Sequence, residues 1–145
     1  MAALALHVGR RALERRQERS PYAQLASTGA AWTWTASTTD VRALQRPAGS
    51  DRFAATWYGD GSFALDLNLT DARASGRGVR DRLGCRGRIE RIDVLDAATN
   101  AVLDSRTLTD FVDGQCLVWS VSGHVVLRVT RIAGVNPVVS GLFID

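Results

Sequence analysis

Residues 57 and 58 are Trp-Tyr, set in a segment where apolar and polar positions alternate. In an extended strand, neighbouring side chains leave on opposite faces, so one of these two rings must point outward. An exposed indole or phenol ring offers a flat apolar surface to the C–H face of a sugar, and polar side chains at its rim can take the hydroxyls. Arg52 lies before the pair and Asp60 after it, with Asp51 beside Arg52. Trp57, Tyr58, Arg52 and Asp60 are therefore the candidate ligand-binding residues. Trp32 and Trp34 share one strand face, and Trp119 shares another with Val121, a pattern that reads as core packing rather than a platform.

Other chemistry is sparse. His7 and His124 have no acid and nucleophile at a catalytic spacing, and no phosphate-binding or dinucleotide-binding glycine pattern occurs. Asp66 and Asp93 would suit glycoside hydrolysis if about 5–10 Å apart, but each sits in an alternating segment where a solvent-facing acid is the default. The "GDGS" at 59–62 and its flanks carry too few acids for a calcium loop of the EF-hand kind. No catalytic residue, metal site or cofactor is expected; a structural calcium ion is compatible with such a chain, but no residue set specifies one. Cys85 and Cys116 have no metal-ligand spacing, and sequence alone leaves open whether they pair; two free thiols is the simpler reading.

The chain of 145 residues carries a net charge of +3, and all 18 of its basic residues are Arg. Five lie in residues 1–20 and seven in residues 73–91, leaving six Arg against eleven Asp elsewhere, a balance of −5. The body is acidic, and the basic character comes from two patches, at 10–19 and 73–91. A small nucleic-acid-binding protein that uses these patches is the alternative function. No apolar run approaches the ~20 residues of a membrane-spanning helix. The opening "MAALALHVGRR" has its charges after its apolar stretch, the wrong order for a signal peptide.

The elements that must hold these residues are mostly strands. Residues 1–19 have the only helix-like composition, with a narrow stripe of Leu4, Val8 and Leu13, and Ser20-Pro21 would end such a helix. The resulting expectation is a marginal helix with no capping residue. From Tyr22 onward the period is two. "FALDLNLT" puts Phe63, Leu65, Leu67 and Leu69 on one face and Ala64, Asp66, Asn68 and Thr70 on the other. "RIDVLDAATNAVLDSRTL" reads as two strands around a turn at 98–100. "CLVWSVSGHVVLRVTRI" reads as two more about Ser122-Gly123, and "VVSGLFI" as a last one. About seven short strands divided by turns predict an all-β, antiparallel β-sandwich over residues 21–145, with 1–20 as a basic extension. A barrel is the competing architecture.

The runs "RIDVLDAATNAVLDSRTLTDF", "GQCLVWSVSGHVVLRVTR" and "NPVVSGLFID", with "YAQLASTGAAWTWTASTTDVRALQRPAGSDRFAATWY" and "FALDLNLTD" upstream, resemble galactose-binding-like jelly-roll modules. Such modules stand near the C-termini of large secreted bacterial proteins. The resemblance covers residues 21–72 and 88–145. It implies a noncatalytic accessory module, carbohydrate-binding or structural, that works outside the cell beside glycan-active or adhesion domains. It implies no catalytic residue, with polysaccharide and neighbouring domains as partners and neither membrane nor nucleic acid among them.

Residues 73–87 depart from that pattern. Where the resemblance expects an aliphatic strand of the type "HQVALYxxDWD", the chain has an Arg/Gly stretch, and Cys116 stands where Tyr is usual. Written as degenerate codons and read one base later, residues 73–85 allow Ala-His-Gln-Val-Ala-Val-Tyr-Ala-Ile-Asp-Trp-Asp-Ala. Residues 13–20 allow Asn-Asp-Ala-Lys-Ser, similar to what precedes "PYAQ" in the family. The expectation is that residues 1–20 and 73–87 are translated out of frame. Losing a buried strand's side chains, at about 1.5–3 kcal/mol each, would then cost much of a domain's stability.

Overall fold

The structure, a computed structural model, describes residues 2–8, 23–40, 43–45, 49–70, 87–111 and 115–144. These form twelve strands: β1 (Ala2–Val8), β2 (Ala23–Ser27), β3 (Ala30–Thr38), β4 (Leu44–Gln45), β5 (Arg52–Tyr58), β6 (Ser62–Leu69), β7 (Ile89–Asp96), β8 (Val102–Thr109), β9 (Gln115–Val121), β10 (Gly123–Ala133), β11 (Val138–Val139) and β12 (Gly141–Ile144). Every pairing is antiparallel. The fold is the all-β sandwich that the alternation predicts.

One layer is a five-stranded sheet in the order β2-β6-β10-β7-β8. The other joins two pieces, β12-β1-β9 and β11-β5-β3, with β4 on the start of β5. The pieces connect because β11 and β12 are one line of chain interrupted at Ser140. β11 pairs with β5 (Val138↔Tyr58) and β12 with β1 (Gly141↔His7).

Burial follows the period-two pattern. Phe63, Leu65, Leu67 and Leu69 on β6, Ile92 and Val94 on β7, and Val125, Leu127 and Val129 on β10 line the inner face of the first sheet. Trp57, Trp119, Val121, Val138 and Val139 meet them from the second. Burying one such Leu or Ile contributes about 1.5–3 kcal/mol, so this interface accounts for most of the driving force of folding.

The turns follow local chemistry. In the β7–β8 hairpin, Asp96 Oδ1 accepts from the N–H of Ala98 (3.0 Å) and Thr99 (2.8 Å) and from the Thr99 hydroxyl (2.8 Å). Asn100 takes the left-handed conformation (φ 57°), which Asn tolerates better than most residues. The β5–β6 connection crosses between sheets at Gly59, where a Cβ would lie 2.6 Å from the Ser62 carbonyl oxygen. Only glycine fits that approach.

The N-terminal segment corrects one expectation. Residues Ala2–Val8 form a strand, not the start of a helix, and the rest of that segment, 9–22, lies outside the described residues. An isolated helix of this length is marginal in water. β9 and β12 instead give the backbone of β1 a hydrogen-bonded neighbour on each side. Of the Arg/Gly stretch, all but Gly87 likewise lies outside the described residues.

Candidate functional site

The largest exposed rings belong to Trp32 and Trp34 on β3, which are 56% and 43% exposed. β3 is the last strand of the second sheet among the described residues. Its pairing with β5 slips between Thr33↔Ala55 and Thr35↔Ala54, leaving Trp34 as the extra residue of a β-bulge. A second slip falls between Thr35 and Thr38. Bulges re-aim side chains and also blunt a free edge against pairing with another chain. Both indoles are exposed on this strand, and regular alternation does not hold across Trp34.

Tyr58 lies on the same side. Trp57 next to it belongs to the core, and Tyr58 itself packs against that core as a half-buried ring. The pairs Trp32↔Thr56 and Ala30↔Tyr58 put it diagonally across from Trp32. Diagonal neighbours across an antiparallel pair are about 7–8 Å apart, within reach of a shared flat ligand. Tyr58 is half-buried and Thr56 is buried, its hydroxyl donating to the Val139 carbonyl at 2.9 Å.

The four candidates from sequence are thus separated. Trp57 is 8% exposed and belongs to the core, and Tyr58 is half-buried against it. Arg52, at the far end of β5, is half-buried and donates from Nη1 to the Ala43 carbonyl at 2.8 Å. Asp60 is exposed in the β5–β6 connection. The seven residues of β5 span roughly 20 Å, so Arg52 and Asp60 cannot flank one ring. Sequence reading missed Trp32 and Trp34 because their alternation matches that of a core face. Their place on the end strand β3 is decided by strand pairing, which local sequence does not carry.

The outer face of the first sheet carries charges already engaged with one another. Asp93, itself buried, accepts from Ser105 Oγ (2.6 Å), Arg128 Nη2 (3.2 Å) and Arg91 Nε (3.0 and 3.2 Å to its two oxygens). Desolvation raises its pKa, but these hydrogen bonds outweigh it and the net shift is downward. Asp93 is held as a carboxylate, unsuited to donate a proton. Asp66 contacts His124 Nε2 at 2.7 Å, giving that histidine an acid partner 58 positions away in sequence. Asp66 and Asp93 lie on β6 and β7, either side of β10. Asp93 faces Arg91 and Arg128, and Asp66 faces His124.

Two groups are unusual in protonation. Glu90 is 1% exposed on the inner side of β7; its Oε2 accepts the Val138 N–H at 2.9 Å, and its Oε1 has no partner. Burial pushes its pKa up to about 8, against the opposing pull of that N–H and of Arg88. Desolvation also pushes the Cys116 thiol up, which disfavours the nucleophilic thiolate; Cys116 is free and Cys85 lies outside the described residues.

Among the described residues no three His, Cys, Asp or Glu side chains gather as a metal site, and no helix is long and apolar enough to cross a membrane. Within the basic patches, Arg88 Nη2 donates to Asn136 Oδ1 at 2.9 Å and Arg91 is bound to Asp93, while residues 10–19 and 73–86 lie outside the described residues. No protein-family model, curated relative or solved structure matches the chain.

Proposed function

We propose that the sandwich is a noncatalytic accessory module that binds polysaccharide through the Trp32–Trp34 row, with Tyr58 at its margin. The observation that carries this reading is the exposure of two indoles on one bulged edge strand. Exposing such rings to water opposes folding, so their surface position calls for a ligand that covers them. A glycan chain lying along β3 would stack successive sugar rings on the indoles. The resemblance to galactose-binding-like modules supports the same reading and sets it beside other domains of a secreted bacterial protein.

The carboxylates argue in the same direction. Asp93 is engaged with Arg91 and Arg128 and Asp66 with His124, so neither carboxylate is without a partner as a glycan-hydrolysing acid would need. The nucleic-acid reading loses support because Arg88 and Arg91 of the second patch are engaged with protein acceptors.

The test is retention on a panel of immobilised polysaccharides, repeated with Trp32→Ala, Trp34→Ala and the double variant. Each single change is expected to weaken binding roughly tenfold or more, the scale of an aromatic hot spot, without lowering the melting temperature. Unchanged retention by the double variant, or no retention of the parent on any polysaccharide, would sink the proposal.

A further inference from the structure

The outer face of the first sheet holds a carboxylate that is nearly buried. Asp93 on β7 stands directly opposite Arg128 on β10 and Ser105 on β8, and Arg91 precedes it by two residues on the same face. The Asp93 side chain is 3% exposed, against 43% for Arg91 and 46% for Arg128, so the carboxylate is shielded while both guanidiniums meet solvent. Taking a carboxylate out of water is costly, and apolar packing often stabilises a fold as well as an ion cluster does. What this cluster does achieve is to fix two guanidiniums on adjacent strands.

Asp93 occupies only part of each fork. Arg91 donates to it from Nε, at 3.0 and 3.2 Å to the two oxygens, and Arg128 from Nη2, at 3.2 Å. Neither Nη of Arg91, nor Nε or Nη1 of Arg128, has a hydrogen-bond partner among the described residues. A guanidinium presents five N–H donors in a planar fork that matches the paired oxygens of an oxyanion. Because each fork is already pinned at one nitrogen, less side-chain freedom is lost when a ligand binds.

The surroundings suit a sugar that carries an acidic group. Arg91 is flanked in register by Thr130 on β10 and Thr107 on β8, and Arg128 by the small Ala64 on β6. Thr107 is exposed and Thr130 half-buried, and hydroxyls both donate to and accept from the hydroxyls of a saccharide. Two guanidiniums against one carboxylate leave a single positive charge. That fits one isolated acidic group better than a nucleic-acid backbone, which is charged every ~3.4 Å along each strand.

We propose that Arg91 and Arg128, pinned by Asp93 on the outer face of β7 and β10, form a second binding site that takes the carboxylate or sulfate group of an acidic polysaccharide, with Thr107 and Thr130 beside it for neighbouring hydroxyls. The site lies on the other layer from Trp32 and Trp34 and does not depend on binding there.

Retention on immobilised polygalacturonate, dextran sulfate, neutral dextran and duplex DNA tests this, for the parent and for a Trp32→Ala, Trp34→Ala chain. Both proteins are expected to be held by polygalacturonate or dextran sulfate, and the polymer preferred identifies the acidic group. An Arg91→Lys, Arg128→Lys chain keeps both charges and their attraction to Asp93 but loses the forks, and should bind about tenfold more weakly or worse. On the parent itself, titration with galacturonate or sulfate should move the Arg91 and Arg128 Nε–H resonances, a readout that needs no variant to fold. Unchanged retention of the Lys chain overturns the site, since charge alone or other arginines then suffice. So do loss of retention in the Trp variant, equal retention on neutral dextran, tighter binding to DNA than to either acidic polymer, no retention on either, and resonance shifts confined to other arginines.

Discussion

Glu90→Gln should abolish most of the pH dependence of stability between about pH 4.5 and 8. In the folded chain the carboxyl is buried on the inner side of β7, with one oxygen on the Val138 N–H and the other without a partner. Its pKa is about 8 there and near 4.5 when the chain unfolds. Between about pH 4.5 and 8 the folded state therefore keeps a proton that the unfolded state releases. Stability contributed by this group is fully present below pH 4.5 and is lost as pH rises toward 8. A rise of some 3.5 units at 1.36 kcal/mol each is a loss of about 5 kcal/mol, comparable with the whole margin of a small domain. Glutamine keeps an acceptor for Val138 and has no proton to lose. Urea unfolding at pH 5 and pH 8.5, for the parent and the Gln variant, measures the effect. The two should be similar at pH 5, with the variant more stable by several kcal/mol at pH 8.5. Asp93, Asp96 and Asp104 have lowered pKa values, so their contributions are lost below the usual carboxylate range, outside this window. Curves that fall in parallel for both proteins would refute a buried, protonated Glu90.

Other perturbations separate core from surface. Leu127→Ala, at a fully buried site of β10, should cost about 2–5 kcal/mol by its shift in urea midpoint, whereas Trp32→Ala should fall within about 0.5 kcal/mol of the parent. Trp57→Ala should destabilise by about 3–5 kcal/mol, so any loss of glycan binding in that variant must be judged against its folded fraction by circular dichroism. Gly59→Ala should lower the melting temperature, because its Cβ would meet backbone rather than a yielding side chain; a neutral result would show that the β5–β6 crossover can relax. In the gene, the codons for residues 79–85 should permit TAC, GAC, TGG and GAT when read one base later. Sequencing the coding DNA checks this, and codons that forbid those triplets end the out-of-frame reading.

Much of the fold is written locally. The alternation of Phe63, Leu65, Leu67 and Leu69 fixes both the strand and its inner face, since a period of two admits no other regular structure. The Asp96–Asn100 turn is similarly local, held by Asp96's hydrogen bonds and by an Asn at positive φ. Alternation cannot say which sheet a strand joins or which sheet face meets the other layer. Trp32-Thr33-Trp34 and Trp119-Ser120-Val121 look alike in sequence, yet the two Trp of the first are exposed on β3 while Trp119 and Val121 of the second face the core. That difference was decided by neighbours distant in the chain. The same holds for Asp66 and His124, joined only because β6 and β10 pair, and for residues 2–8, whose composition suits a helix in isolation. What made those residues a strand was two unpaired backbone edges on either side, an environment that exists only once β9 and β12 are in place.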